Sequence, residues 1–165
     1  MARKVFYSFH YVPDNWRAAQ VRNIGVIEGN QPAKDHDWES VARGGDAGIE
    51  RWIADQMMGR SCTVVLVGTG TAGRKWINHE IVRSWNEGLG VVGIRIHGLL
   101  NRDQQVSAIG RNPFDHITCG FNGKKLSAIA KCYDPQGLTS KERYAWIQTH
   151  LSNAVEEAIA LRNKN

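Results

Sequence analysis

Trp76 and Glu80 are the two residues of this sequence whose types and spacing most clearly allow chemistry. Four residues separate them, about one helical turn, so both side chains stand on one face of a predicted helix. A loop rich in glycine and threonine, residues 68–73, precedes that helix and follows an apolar strand pattern at residues 63–67. In an open α/β sheet, ligands bind beyond the carboxyl ends of the strands, where this loop and helix start would lie. Residues 63–80 therefore predict a ligand site.

A second group of candidate residues follows the first predicted strand, residues 5–9. Ser8, Phe9 and His10 leave this strand where a ligand ring or a phosphate could meet them. Phe9 is suited to stacking on a ring, although a buried strand end explains it equally well. Arg17 could bind phosphate through charge-assisted hydrogen bonds, and an exposed helix arginine is the alternative.

The loop before the Trp76 helix is a further candidate, because the backbone amides of Gly68 and Thr69 could bind a phosphate. These residues match neither the G-x-G-x-x-G pattern nor a Walker loop, so a plain strand-to-helix turn explains them as well. Trp76 itself could contact a ligand or belong to the core.

Alternating strand and helix patterns predict parallel βαβ units with right-handed crossovers. Strands are expected at residues 5–9, 24–27, 63–67, 91–96 and 126–132, and helices across 16–23, from Asp46, after the glycine loop and from Thr139. Asp14 or Asn15 can cap the first helix and Asp46 the second, and Thr139 with Glu142 makes a capping box for the last. Residues 29–45 read as a long loop and residues 98–123 as a turn-rich insertion. The pattern predicts one α/β domain over 1–165, a flavodoxin-like three-layer sandwich with a central, mostly parallel sheet of four or five strands. Its switch point would lie between the first and third strands and would bring residues 8–11 and residues 68–80 together.

The composition is that of a soluble globular domain, with 165 residues, 42% hydrophobic and 22% charged. No segment resembles a signal peptide or a membrane span, so we expect a cytoplasmic protein without a membrane partner. The net charge of +5 suits an anionic ligand, but the basic residues are scattered and predict no nucleic-acid partner. Three cysteines and six histidines lack the spacing of a disulfide framework or a zinc site, so no metal is expected.

Three separated blocks of this sequence resemble the TIR-like domains of bacterial Thoeris anti-phage systems. The first is Val-Phe-Tyr-Ser-Phe-His-Tyr at residues 5–11, followed by Asp14, Arg17 and Val-Arg-Asn at 21–23. The second is the strand at 63–68 followed by Trp-Ile-Asn-His-Glu-Ile at 76–81, and the third is Asn-Pro-Phe-Asp at 112–115. Together they cover residues 3–118, and their order makes the resemblance specific where any one block would be weak.

The resemblance implies a TIR-like fold, with NAD as the substrate rather than as a cofactor. It implies cleavage of the nicotinamide–ribose bond and release of a cyclic ADP-ribose isomer, a signal that activates a separate effector protein. The catalytic glutamate of the family falls on Glu80. The substrate-binding residues expected from the resemblance and the strand ends are Ser8, Phe9, His10, Arg17, Gly68, Thr69 and Trp76. TIR domains also build competent sites by self-association, which makes a homo-oligomer an expectation.

The expected chemistry suits a single carboxylate. Nicotinamidium leaves as a neutral ring and needs little acid catalysis, so the difficulty is the oxocarbenium-like charge that develops on the ribose. Glu80 could stabilise that charge and hold the ribose hydroxyls. The alternative for Glu80 is a solvated glutamate near a helix start, favoured there by the helix dipole.

Two other functions remain open at this stage. One is a non-catalytic TIR-like module that signals through protein–protein contacts, which the six tryptophans and the basic surface would allow. The other is a flavodoxin-like nucleotide or flavin binder. The first strand-to-helix loop does not resemble a flavin-phosphate loop rich in Ser and Thr, which makes this the weakest of the three.

Overall fold

A central parallel sheet organises the protein, whose computed structural model describes residues 2–30, 41, 43–119 and 123–165. The strands are β1 (Lys4–Ser8), β2 (Glu28–Gly29), β3 (Cys62–Val67), β4 (Gly90–Arg95), β5 (Thr118–Cys119), β6 (Lys124–Lys125) and β7 (Cys132–Tyr133). Five of them form the sheet in the order β2-β1-β3-β4-β7, with every pairing parallel, and β5 and β6 form a separate antiparallel pair. This arrangement confirms the predicted flavodoxin-like α/β fold.

Helices cover both faces of the sheet. They are α1 (Tyr11–Arg22), α2 (Gly45–Met57), α3 (Lys75–Asn86) and α4 (Ser140–Asn163), with a short 3-10 turn at Leu126–Ala128. One core cluster joins α1 and α4 to one sheet face, and two others join α2 and α3 to the opposite face. Among the described residues, no helix is both long and apolar enough to cross a membrane.

The third strand shows why the sequence forms this three-layer structure. All six residues of β3 are buried, as expected for a near-continuous apolar strand with helices on both faces. Val64 and Leu66 pack with the α1 and α4 side, whereas Val65 and Val67 pack with α3. The alternation of side chains along the strand therefore serves two cores at once.

The first helix begins earlier than the sequence pattern predicts. The expected helix at residues 16–23 starts at Tyr11, and its N-cap residue, His10, makes no capping hydrogen bond through its side chain. Pro13 is accommodated in the first turn, where a backbone N–H is not needed. Asp14, one of the two predicted caps, lies inside this turn and is buried.

Two predicted strands are displaced. The strand expected at 24–27 forms at Glu28–Gly29, where it pairs with Lys4 and Val5. The strand expected at 126–132 begins instead as the 3-10 turn, and only Cys132–Tyr133 pairs with β4. Much of the long loop expected at 29–45 lies outside the described residues.

The predicted starts of α2 and α4 have different outcomes. Asp46 does not cap α2, because the N-cap residue is Gly44 and the helix begins at Gly45. Asp46 lies in the first turn, where its carboxylate forms a salt bridge with Lys75 Nζ at 2.6 Å. The capping box of α4 is confirmed, because Glu142 N donates to Thr139 Oγ1 at 3.1 Å and Glu142 accepts from Thr139 N in return.

The short β2 leaves part of β1 open at the edge of the sheet. β2 pairs only with the first two residues of β1, so Phe6–Ser8 has no strand partner on that side among the described residues. At Tyr7, the Asn30 side chain takes the place of a strand, because its Oδ1 accepts a hydrogen bond from Tyr7 N at 2.8 Å. The functional cleft lies at this open edge.

Candidate active site

A cleft of about 640 Å³ opens at the carboxyl end of β1. Its walls are the end of β1 with the start of α1, the loop and first turns of α3, and three residues from elsewhere, Arg22, Asn30 and Trp52. The volume lies within the range of small-molecule sites, roughly 300–1,000 Å³. The cleft lies beyond the carboxyl ends of adjacent strands β1 and β3, where ligands bind in open α/β folds.

Ser8 and Glu80 meet at this cleft although they are 72 residues apart. Ser8 is the last residue of β1 and is 1% exposed, and its hydroxyl donates a hydrogen bond to Glu80 Oε2. Glu80 lies in the second turn of α3, is half-buried and lines the cleft. The strand order places β1 beside β3, and the chain passes from β3 into α3, so the topology brings the two side chains together.

Burial dominates the ionisation of Glu80. It raises the pKa of this carboxyl to about 8, and the hydrogen bond from Ser8 acts in the opposite direction. The described residues give this carboxylate no ion pair. A carboxylate held without a counter-ion in a cleft is suited to a ligand on which positive charge develops.

Aromatic rings line the cleft on both sides of this carboxylate. Phe9 and Tyr11 stack on each other with centroids 6.1 Å apart and an interplanar angle of 28°. Trp76 packs against the apolar cluster of α2 and also lines the cleft, together with Trp52. Trp76 and Glu80 thus share one face of α3, as their spacing predicts, and the rings supply flat apolar surfaces for a base or a nicotinamide.

His10 also lines the cleft and has an unused polar atom. Its Nδ1 is buried without a hydrogen-bond partner. Burial lowers the pKa of His10, and the positive charge of Arg74 lowers it further. The neutral imidazole is therefore favoured at neutral pH, and it can offer either a donor or an acceptor to a ligand.

Four of the predicted binding residues do not line the cleft, namely Ser8, Arg17, Gly68 and Thr69. Ser8 is connected to it through its hydrogen bond to Glu80. Arg17 is 4% exposed and its guanidinium donates to Leu99 O at 2.8 Å and Gln105 O at 2.9 Å, so backbone carbonyls already use the donors expected for a phosphate. It also contacts the buried carboxylate of Asp14 at 3.5 Å. These bonds give Arg17 a structural part in joining α1 to the segment after β4.

Gly68 and Thr69 likewise have structural contacts in place of a free phosphate loop. Gly68 N donates to Thr71 Oγ1 at 2.8 Å, and the Thr69 hydroxyl donates to Ala108 O. A Cβ on Gly68 would lie 2.6 Å from Asp14 Cγ, so glycine is needed here for the close approach of α1. Of the loop, only Gly70 and the residues from Ala72 onward line the cleft.

Several cleft residues are not apparent from sequence patterns. Tyr7 and Arg22 belong to segments that carry the resemblance, but the sequence assigns neither of them a binding role. Asn30 falls where the sequence pattern is least legible. Arg22 and Arg74 are both cationic, and the described residues give neither of them a carboxylate partner. The cleft therefore carries a net positive charge, which suits an anionic ligand.

The third block of the resemblance lies outside the cleft and supports the core. Phe114 is fully buried and packs with α3, close to Gly93 of β4. Asn112 Oδ1 accepts a hydrogen bond from Phe114 N at 2.9 Å and so fixes the turn.

Comparison with known proteins identifies the family of this chain. Residues 6–101 match the family model described as "Thoeris protein ThsB, TIR-like domain", which is more than half of the chain and includes every residue of the cleft. A protein of Bacillus cereus (strain MSX-D12) is similar over 133 residues, at 33% identity, with 76% of this chain and 69% of that protein covered. That protein is named "Putative cyclic ADP-D-ribose synthase ThsB1".

Proposed function

Since the chain belongs to the ThsB TIR-like family of Thoeris systems, we propose that it cleaves NAD between nicotinamide and ribose and makes a cyclic ADP-ribose-type product. The observation that carries this proposal is the partly buried hydrogen bond between Ser8 and Glu80 beside a cationic cleft of dinucleotide size. The name of the Bacillus cereus relative supports the product class.

In this reaction Glu80 faces the ribose carbon that loses nicotinamide. The C–N bond breaks with its electron pair going to nicotinamide, which leaves as a neutral ring, and positive charge develops on the ribose. An ionised Glu80 stabilises that charge, and its burial strengthens the interaction because few water molecules screen it. A nucleophilic atom of the same ADP-ribose unit then forms a bond to the ribose carbon and loses its proton, which closes the cyclic product.

The rest of the cleft would hold the substrate and limit the access of water. The stacked Phe9–Tyr11 pair and Trp76 offer surfaces for the two bases of the dinucleotide. Exclusion of water from the ribosyl cation favours ring closure, because water capture would give linear ADP-ribose instead.

The product would act as a cytoplasmic signal that a separate effector protein binds, and NAD would be consumed as a substrate rather than kept as a cofactor.

We further propose that copies of the chain associate to form the fully competent site. Activity per molecule would then rise with protein concentration, whereas a monomeric enzyme would give activity strictly proportional to its concentration.

Product analysis tests the proposed reaction. Purified protein is incubated with NAD, with and without lysate from phage-infected cells, and the products are resolved by mass spectrometry. We expect nicotinamide together with a product that is lighter than ADP-ribose by one water molecule. Intact NAD in every condition would refute catalysis, and ADP-ribose alone would refute cyclisation.

A non-catalytic interaction module is the second candidate, and one observation favours it. Val12 and Trp16 lie one turn apart on α1 and are 88% and 55% exposed, which leaves an apolar strip on the surface. Val12 also lines the cleft. Unchanged NAD, combined with loss of antiviral protection after Trp16→Ala, would favour this second function.

A further inference from the structure

Besides His10, two residues of the cleft have buried polar atoms that nothing in the described residues satisfies. The Tyr7 hydroxyl and Arg22 Nε both lack a hydrogen-bond partner, although Tyr7 is only 4% exposed. A buried polar group without a hydrogen-bond partner typically lowers the stability of the folded state by at least about the free energy of one hydrogen bond. Such groups are rare in folded proteins. Both residues line the cleft, so their unused donors lie next to the space that a ligand would fill.

The local structure holds these two groups in place. The Arg22 guanidinium lies over the Tyr7 ring, 5.8 Å from its centroid, and Arg22 Nη2 donates to Asn30 O. The Asn30 side chain in turn accepts from Tyr7 N. Gly29 leaves room for the ring, since a Cβ there would overlap it. In this arrangement Arg22 Nε has no hydrogen-bond acceptor among the described residues.

The corner of the cleft formed by Tyr7 and Arg22 is positively charged, so it is suited to an anion. The described residues give Arg22 no carboxylate partner, and burial lowers its pKa. Burial also raises the pKa of Tyr7 well above its ordinary value, so the phenol remains a hydrogen-bond donor. A half-buried guanidinium beside a phenol donor is suited to phosphate oxygens, which only accept.

This corner and Glu80 lie on opposite faces of β1. Ser8 points to Glu80 on the α3 side, whereas Tyr7 packs with the core of α1 and α4. The cleft includes both because the short β2 leaves the end of β1 open at its edge. A ligand that fills it must reach from Glu80 to Arg22 around the edge of β1, as an extended molecule such as a dinucleotide can.

We propose that Arg22 and Tyr7 form the subsite that binds the diphosphate of NAD. This subsite lies on the opposite face of β1 from Glu80, and the cleft connects the two around the open edge of the strand. The proposal rests on the proposed function for the identity of the dinucleotide. Arg22 is charged and supplies most of the affinity, and the Tyr7 hydroxyl adds a second donor.

Binding measurements in a Glu80→Gln protein test this subsite without turnover. The probes are ADP-ribose, which carries the diphosphate, and nicotinamide riboside, which lacks phosphate. Isothermal titration calorimetry should show ADP-ribose affinity falling on the order of tenfold to a hundredfold with Arg22→Gln, since charged hydrogen bonds are the strong ones. The affinity for nicotinamide riboside should be unchanged.

Tyr7→Phe is the sharper variant because it removes a hydroxyl that has no protein partner among the described residues. We expect its urea midpoint to equal or exceed that of the parent, while its ADP-ribose affinity falls severalfold. Arg102→Gln, an exposed arginine outside the cleft, serves as the charge control. A fold defect would lower the urea midpoint and weaken both probes together.

Three results would overturn the subsite. The first is no measurable binding of ADP-ribose to the Glu80→Gln protein. The second is an equal loss of affinity for both probes in the Arg22 and Tyr7 variants. The third is a loss of ADP-ribose affinity only in Arg74→Gln, which would place the phosphates at the start of α3. The subsite and the proposed function can fail separately. Arg22-dependent ADP-ribose binding without NAD cleavage would refute only the reaction, and NAD cleavage with unchanged KM in Arg22→Gln would refute only the subsite.

Discussion

The Ser8 hydroxyl donates a hydrogen bond to the Glu80 carboxylate and so joins the end of β1 to the second turn of α3. The two effects on Glu80 oppose each other, because burial raises its pKa and this hydrogen bond lowers it. Ser8 is thereby a positioning residue that favours the ionised form on which the proposed reaction depends.

Removal of the Ser8 hydroxyl should change the pH profile of the reaction. In Ser8→Ala the pKa of Glu80 rises further above 8, so a smaller fraction of this carboxyl is ionised at neutral pH. We expect kcat to fall strongly at pH 7 and much less at pH 9.5, as measured by nicotinamide release. An equal loss at both pH values, or a loss in the exposed control Ser152→Ala, would point to a structural effect.

The raised pKa of Glu80 also predicts a stability effect that is independent of catalysis. In the unfolded chain the carboxyl loses its proton near its ordinary value of 4.5, whereas in the folded protein it keeps the proton up to about pH 8. Between these values the folded state binds more protons, so this contribution to the free energy of unfolding falls as pH rises.

Glu80→Gln should therefore become more stable relative to the wild type as pH rises from 5 to 8. The gain is at most about 1.4 kcal/mol per pH unit, and less where solvent reaches the carboxylate. Urea unfolding at pH 5 and pH 8 measures it, and the other titrating groups cancel because both proteins contain them. A constant difference between the two proteins would contradict the raised pKa.

Gly68→Ala should destabilise the protein because of a steric overlap. A Cβ at this position lies 2.6 Å from Asp14 Cγ, and such overpacking typically costs about 1–3 kcal/mol. Gly70→Ala is the matched control from the same loop, since its Cβ would meet only His10 Nδ1 at 3.9 Å. Urea unfolding should separate the two variants, and Asp14→Gly should partly relieve the defect of Gly68→Ala.

Arg17→Met should lower stability without changing the recognition of NAD. The variant leaves the buried Asp14 carboxyl without its cation and two backbone carbonyls without their donor, a loss of about 3 kcal/mol. Urea unfolding tests the stability and KM for NAD tests the recognition. An unchanged urea midpoint with a raised KM would return Arg17 to the phosphate-binding role expected from sequence.

The proximity of residues 8–11 to residues 68–80 could be predicted from the sequence because it follows from topology, whereas the hydrogen bond between Ser8 and Glu80 is seen only in the structure. Apolar runs at the first and third strands, joined by helical patterns, favour a parallel sheet in which those strands are neighbours. The carboxyl ends of parallel strands lie at one edge of the sheet. No knowledge of individual side-chain contacts is needed for this step.

The parts of the site that could not be predicted depend on contacts distant in sequence. Arg17 is bound by carbonyls more than 80 residues away, and local sequence does not show that its donors are already used. The Tyr7 and Arg22 corner exists because β2 is only two residues long. Local strand propensity does not determine that length, which depends on tertiary packing.

The rate of nicotinamide release by wild type and Glu80→Gln, at saturating NAD and pH 8.5, tests the central claim most directly. Glu87→Gln, at the exposed end of the same helix, controls for the loss of a carboxylate from that helix. The proposed role of Glu80 predicts a loss on the order of 10²–10³ in kcat for Glu80→Gln and a wild-type rate for Glu87→Gln. A Glu80→Gln protein that releases nicotinamide at the wild-type rate would contradict the assignment of this carboxylate.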